Sequence, residues 1–338
     1  MFENKDTPKT PLSDYGEFAL IEHLTKSFKL ENESSIIGIG DDSAVIGYKS
    51  NLSLITSDIL VEGVHFDLDY FTPEEIAFRS VSVALSDLSA MGANPKFFSN
   101  SLFIPKNINA SFLNKLFNGF KKVCKFYNIY LLGGNVSKSK SLILDLTVIG
   151  EVVGRSYKER LNSKKNDFIY VSGNIGDASQ GLNILKNKRT FSSLEKRLIS
   201  KYKSPKAKVD LGIFLGQLKD VTSMIDITDG LALDLGRLIG PKTGGKGATI
   251  VWEDIPKSIN NTESLSSKKL MKLVLNGGDD YELLFTVKNS KVADFEKLCK
   301  KNNFKVYRIG FVNSLGHLSL VKGGKALNLE ANGFIHKF

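Results

Sequence analysis

The sequence predicts a two-domain α/β protein. Three observations carry that reading: a length of 338 residues, a second half in which strand-like and helix-like patterns alternate, and a charged stretch, GRSYKERLNSKKND (154–167), separating the halves. The domains are accordingly placed at 14–154 and 155–338, after a polar tail at 1–13.

Residues 14–29 read as a short helix, followed by β-type runs at SSIIGIG (34–40), LSLITSD (52–58), FFSNSLFIP (97–105), IYLLGG (129–134) and SLILDLTVIGEV (141–152). Between them lie two helices. The first starts at Thr72, with Pro73 at the first helical position and Glu75 completing a capping box, and runs to about Met91 before Gly92. The second covers roughly 110–127.

Beyond the charged stretch come DFIYVSG (167–173), helices near 177–187, 192–202 and 206–218, SMIDITDG, and a helix near 230–239. The apolar runs ATIVWED, KLVLNGG and YELLFTV, a helix near 290–302 and FKVYRIGFV complete a layered α/β pattern.

Composition excludes several classes. With 42% hydrophobic and 24% charged residues the chain is an ordinary globular sequence, neither disordered nor fibrous. Its formal charge of +10 could serve a nucleic acid, a membrane surface or small anions. The lysines are spread out, however, and aromatics do not interleave with basic clusters, which argues against a nucleic-acid platform. Cys124 and Cys299 stand far apart with no CxxC, so neither a disulfide framework nor a zinc site is indicated, and a reducing cytoplasm fits. The start MFENKDTPKT lacks an apolar core, and Asp145 interrupts the most apolar later stretch, so a membrane location is not expected.

The informative pattern is acidic. Carboxylates recur beside glycine at the ends of apolar runs: Asp41 and Asp42 in GIGDDSA, Asp58 in LITSD, Asp226 and Asp229 in MIDITDG, Asp279 and Asp280 in LNGGDDYELL. Each cluster alone is also a standard turn sequence. Asp87 differs because it lies in a helix, in line with Ile76, Ser80 and Val83, where a carboxylate needs a partner such as a metal ion or a base. Convergent carboxylates without His or Cys companions favour hard cations, and Mg²⁺ joins carboxylates to substrate phosphates, so phosphoryl transfer or ATP use is expected. Glycines in GIGDD, LLGGN, SGNIGD and NGGDD would let backbone N–H groups approach phosphate. His65, in VEGVHF, could be a general base, a phosphate contact or a structural histidine.

Two motifs are decoys. GPKTGGKG (240–247) lacks the Ser or Thr of a P-loop and follows a helical pattern instead of a strand, while GIGDDS (38–43) lacks the third glycine of a dinucleotide fingerprint and precedes a strand.

Taken in order, GIGDDSAV (38–45), TSDILVEGVHF (56–66), VALSDLSAMGANP (83–95), LLGGN (131–135), SGNIGD (172–177), DITDGLALDLGRL (226–238) and GGDDYELLFTV (277–287) resemble the thiamine-monophosphate kinase family. That family lies within a superfamily that includes proteins similar to aminoimidazole ribonucleotide synthetase. The resemblance implies ATP-dependent phosphorylation of thiamine monophosphate to thiamine diphosphate, the last step of its biosynthesis, by direct transfer with several Mg²⁺ ions. It also implies an N-terminal mixed sheet or half-barrel that pairs across a homodimer, a C-terminal α/β domain, and a site between them. By the same resemblance Asp42, Thr56, Ser57, Asp58, Asp87, Asn135, Asp226 and Asp229 would hold Mg²⁺, with Asp42, Asp58, Asp87 and Asp229 catalytic. Gly134, Asn135, Arg160 and Thr228 would lie against ATP, and His65, Asp279 and Phe334 against thiamine monophosphate.

Three residues depart from the family pattern, which usually has Asp at 135, Glu at 279 and Trp or Tyr at 334. The competing expectations are a sister ATP-using synthetase and a basic anion or nucleic-acid binder. The absence of a reactive N-terminal or terminal cysteine speaks against a selenophosphate or hydrogenase-maturation protein.

Overall fold

The computed structural model describes residues 35–37, 41–48, 51–154, 156–187, 190–240, 245–258 and 266–334. The expected tail at 1–13, the helix at 14–29, the opening glycines of GIGDD and residues 241–244 of GPKTGGKG lie outside the described residues.

The first sheet holds β1 (Ser35–Ile37), β2 (Ala44–Tyr48), β3 (Asn51–Val61), β4 (Ala93–Ile104), β5 (Tyr130–Lys138) and β6 (Ile143–Val152), in the order β1-β2-β3-β6-β4-β5. Pairing is antiparallel except between β4 and β5, which are parallel because helix α2 (Ala110–Tyr127) carries the chain back between them. Along β6 alternate residues Leu144, Leu146 and Val148 are fully buried, the period-two signature of a sheet with one covered face. The cover is α1 (Pro73–Ala90) together with α2.

Helix α1 begins as its sequence requires. The Thr72 hydroxyl accepts from Glu75 N at 3.2 Å, and the Glu75 carboxylate accepts from Thr72 N at 2.8 Å. It ends where Gly92 takes φ +79°, a left-handed conformation that glycine adopts without penalty.

The second sheet holds β7 (Phe168–Val171), β8 (Val221–Asp226), β9 (Gly247–Val251), β10 (Leu283–Val287), β11 (Tyr307–Asn313), β12 (Leu318–Lys322) and β13 (Lys325–Asn328), in the order β13-β12-β9-β11-β7-β10-β8. Only β9 and β12 run parallel. Both faces are buried. Ile169, Val171 and Leu284 point into a core with α6 (Leu231–Ile239) and α7 (Ser267–Asn276), while Tyr170, Phe285 and Val287 meet α8 (Val292–Lys301). This three-layer arrangement explains why β10 is buried throughout and shows no alternation. The run KLVLNGG closes α7, a helix that buries Leu270, Val274 and Leu275 at helical spacing.

Three helices, α3 (Asp177–Asn187), α4 (Ser193–Lys203) and α5 (Val209–Gln217), fill the space between the sheets. Ala178, Tyr202 and Ala207 join the core of the first sheet. Helix α5 meets the end of α1 backbone to backbone: a Cβ on Gly212 would fall 2.3 Å from Ser89 O, and one on Gly92 would fall 2.6 Å from Gly216 Cα. Among the described residues no helix is long and apolar enough to cross a membrane.

Candidate active site

A cleft of about 410 Å³ opens between the two sheets. Its floor is acidic. Asp42 enters from the turn before β2, Asp87 from α1 and Asp226 from the end of β8, and one carboxylate oxygen of each lies within 4.8 Å of the others. Thr56, on the helix-covered face of β3, donates its hydroxyl to Asp87 Oδ2 at 2.8 Å. Asp58, two residues on and therefore on the same face, lines the cleft together with Asp229.

Gathering these carboxylates away from water has an electrostatic cost. Burial first, then the neighbouring charges of Asp58, Asp226 and Asp42, holds the Asp87 carboxyl well above its usual range. Burial and then Asp42 do the same to Asp226. Asp42 is raised by burial against the pull of Arg160, which ion-pairs with its Oδ1, and neighbouring Asp41 is pushed up to about 6 by burial and Asp42. Asp42 Oδ2 and Asp226 Oδ2 are buried with no hydrogen-bond partner. Buried acceptors facing one another across a few ångströms, with no His or Cys among them, fit a hard divalent cation.

One residue outside the expected set organises the adjacent turn. Asp234, in the first turn of α6, accepts from Thr228 N, Asp229 N and Gly230 N at 3.0, 3.0 and 3.1 Å through Oδ2, and from Arg237 Nη1 at 2.6 Å through Oδ1. Arg237 also holds Asp229 Oδ2 at 2.7 Å. The turn carrying Asp226, Thr228 and Asp229 is thus shaped by a carboxylate behind it. Asp234→Ala leaves three backbone N–H groups without their acceptor. The expected loss is at least about 3 kcal/mol in urea unfolding, whereas Asp234→Asn, which keeps an acceptor oxygen, loses less. Equal midpoints for the two variants would contradict this role.

The lining also includes the apolar and aromatic side chains of Phe334, Tyr281, Val64 and Leu182, with Arg79, Asp279 and His65. The loop Gly277–Tyr281 sits tightly on the Asp226–Gly230 turn: a Cβ on Gly278 would fall 2.4 Å from Thr228 O, and Asp279 N donates to that same oxygen at 2.8 Å. Asp279 and Tyr281 both adopt positive φ, at +70° and +49°. His65 closes the turn after β3, since its Nδ1 accepts from Val61 N at 3.0 Å. That bond leaves Nε2 as the proton-bearing nitrogen of the neutral ring, so the residue is both a turn element and part of the lining.

Asp42, Asp58, His65, Asp87, Arg160, Asp226, Thr228, Asp229, Asp279 and Phe334 all line this cleft, and Thr56 reaches it through Asp87. Three expected residues are placed elsewhere. The Ser57 hydroxyl lies on the opposite face of β3, paired with Thr147 at 2.9 Å. Gly134 and Asn135 lie on β5, the outermost strand of the first sheet. Asn135 stands in register with Ser101, Asp145 and Ile59, so three strand spacings, about 14 Å, separate it from β3 in the same chain.

The residues that sequence reasoning passed over are Arg79, Asp234, Arg237, Tyr202 and Tyr281. Arg79 carried a signal of its own, a lone basic residue within the otherwise small and apolar run IAFRSVSVAL of α1. The decoys fall as expected, since α6 precedes the glycine-rich 240–247 stretch and strand β2 follows the GDD turn.

Comparison with known proteins agrees with this architecture. Residues 40–152 match the family model described as AIR synthase related protein, N-terminal domain. The thiamine-monophosphate kinase of Buchnera aphidicola subsp. Schizaphis graminum is 35% identical over 327 residues, covering 96% of this chain and 99% of that one. The Aquifex aeolicus thiamine-monophosphate kinase is 34% identical over 280 residues, covering 81% of this chain and 87% of that one. Among solved structures, AaThiL complexed with AMPPCP and TMP superposes with a TM-score of 0.79 at 30% identity, covering 98% of this chain and 100% of that one. A likeness of this extent, spanning nearly the whole of both chains, is more than a shared fold, and the chain belongs to the thiamine-monophosphate kinase family.

Proposed function

We propose that the protein transfers the terminal phosphoryl group of ATP directly to the phosphate of thiamine monophosphate, giving thiamine diphosphate and ADP. The observation that carries the reading is the convergence of Asp42, Asp87 and Asp226 within 4.8 Å on the floor of a cleft that Phe334, Tyr281 and Val64 also line. That floor would accept a hard divalent cation, and the reading places several Mg²⁺ ions in the cleft. When bound, they neutralise and align the phosphate oxygens of two polyanions.

The chain's own residues divide the remaining work. Asp42, Asp58, Asp87, Asp226 and Asp229 would hold the cations, with Thr56 orienting Asp87. Arg160, fixed by Asp42, and Thr228 lie against ATP. His65, Asp279 and Phe334 contact thiamine monophosphate. Its phosphate is already an anionic nucleophile at neutral pH, so no strong base is required and no phosphoenzyme forms.

Gly134 and Asn135 enter this scheme through a homodimer. Tyr130, Leu132 and Val136 on β5 are 64%, 60% and 65% exposed, which suits an edge strand covered by a second copy of the chain. A homodimeric cytoplasmic enzyme acting on small anions leaves nucleic acid and membranes out of the reaction. Val136→Asp is expected to sediment as a monomer and lose activity; an active dimer would contradict the role of β5.

The test is to incubate purified protein with ATP, Mg²⁺ and thiamine monophosphate and follow thiamine diphosphate by chromatography, with EDTA and thiamine-only controls. Metal-dependent product from the monophosphate alone is expected. ATP hydrolysis without that product would point to a sister synthetase, and no ATP turnover would refute catalysis.

A further inference from the structure

Arg79 lies on α1 about two turns before Asp87, and its side chain is 2% exposed. A buried guanidinium is costly unless paired, and its planar fork normally meets a carboxylate with two parallel hydrogen bonds. Here the fork is split. Nη1 donates to the backbone carbonyl of Tyr202, while Nη2 alone reaches Asp279, contacting Oδ1 at 2.5 Å. The Tyr202 ring lies 4.8 Å from the guanidinium carbon, and the Tyr281 ring 5.9 Å.

The Tyr281 hydroxyl donates to the same Oδ1 at 3.0 Å. Two donors therefore converge on one oxygen of Asp279, and none among the described residues reaches Oδ2. The side chain is 31% exposed and lines the cleft. Its backbone, at φ +70° and bonded to Thr228 O, is fixed as well. The result is a carboxylate of set orientation that offers one unused acceptor to a cleft that Phe334 and Val64 also line.

We infer that Arg79 is a positioning residue for substrate recognition: by anchoring Asp279 Oδ1 it presents Oδ2 to the amino-bearing, cationic organic half of the substrate, and so sets affinity for that half rather than the rate of transfer. This rests on the thiamine-monophosphate reading above. An aminopyrimidine supplies N–H donors and a thiazolium supplies positive charge, the two features that a carboxylate oxygen in an aromatic-lined cleft accepts.

The experiment measures steady-state kinetics in both substrates for wild type, Arg79→Met, Arg79→Lys, Tyr281→Phe, Asp279→Asn and the Arg79→Met/Asp279→Asn double variant. Unphosphorylated thiamine serves as an inhibitor that probes the organic half alone. Losing an oriented hydrogen bond to a charged group corresponds to about 10- to 100-fold. Arg79→Met is expected to raise KM for thiamine monophosphate and Ki for thiamine together by that factor, with kcat changing less and KM for ATP held within about twofold. Arg79→Lys recovers part of the loss. The double variant is no worse than Asp279→Asn, because Arg79 acts through Asp279.

Tyr281→Phe removes the second donor without removing a charge. It raises Ki for thiamine by a smaller factor and keeps the test open if Arg79→Met does not fold. An unchanged Ki in Arg79→Lys and Tyr281→Phe overturns the inference, as does an additive double variant or a parallel rise in KM for ATP. A wild-type enzyme that makes no thiamine diphosphate overturns the parent reading instead, so the two failures are distinct.

Discussion

Asp87→Asn is expected to cut turnover by about three orders of magnitude while making the metal-free protein more stable. The carboxylate sits between Asp42 and Asp226, with Thr56 fixed to its Oδ2, and its ionised form is disfavoured by burial and by three neighbouring aspartates. An amide of the same shape removes that repulsion but takes a charged ligand from the cation site. A metal site contributes several kcal/mol of transition-state charge stabilisation, so kcat should fall by about three orders of magnitude. In EDTA the variant should melt above wild type, and added Mg²⁺ should raise its melting temperature less. Opposite signs for activity and stability mark a site assembled for function against its own electrostatics. A variant that is both inactive and less stable in EDTA would instead assign Asp87 a structural role.

The second large effect concerns pH and metal together. Carboxyls in the floor are raised in the folded chain above their ordinary 3.8, Asp41 to about 6 and Asp234 behind the turn to about 7. Asp42, Asp87 and Asp226 shift in the same direction. Between about pH 4 and pH 7 the folded protein therefore binds more protons than the unfolded chain, and stability falls as pH rises through that window. Cation binding requires the ionised carboxylates and displaces those protons. The melting temperature without metal should decline from pH 5 to pH 7.5, and the increment from saturating Mg²⁺ should grow over the same interval. A Mg²⁺ increment independent of pH would dissociate the cation from this cluster.

How far the sequence spoke for itself varied with the physics of each feature. Thr72, Pro73 and Glu75 announced the start of α1 because capping is a local interaction. The run KLVLNGG, grouped in the sequence with strand-like apolar runs, is the end of helix α7, because a short apolar segment buried on a helix resembles a buried strand. The carboxylates were legible as a group, since aspartates recurring near glycine and apolar runs are visible without the fold, although Asp58 lies inside β3 and only Asp226 ends its strand. Asp234 and Arg79 were not, because their importance lies in what they reach: backbone N–H groups of a preceding turn, and an aspartate 200 positions away. The separation of Asn135 from β3 is likewise a matter of strand order, which one chain of letters does not display.

The glycine contact between α5 and the end of α1 extends the territory in which a change alters catalysis. Gly212 presses on the carbonyl of Ser89, two residues from Asp87, with no side chain between to absorb a displacement. A methyl group there must push α1 lengthwise or sideways, and a shift of about 1 Å in a reacting group can cost about a hundredfold in rate. Drift at this helix surface would thus be screened by enzyme function as strictly as drift in the acidic floor, although no atom of Gly212 belongs to the cleft. A survey of inactive variants that looked only at charged residues would pass over it.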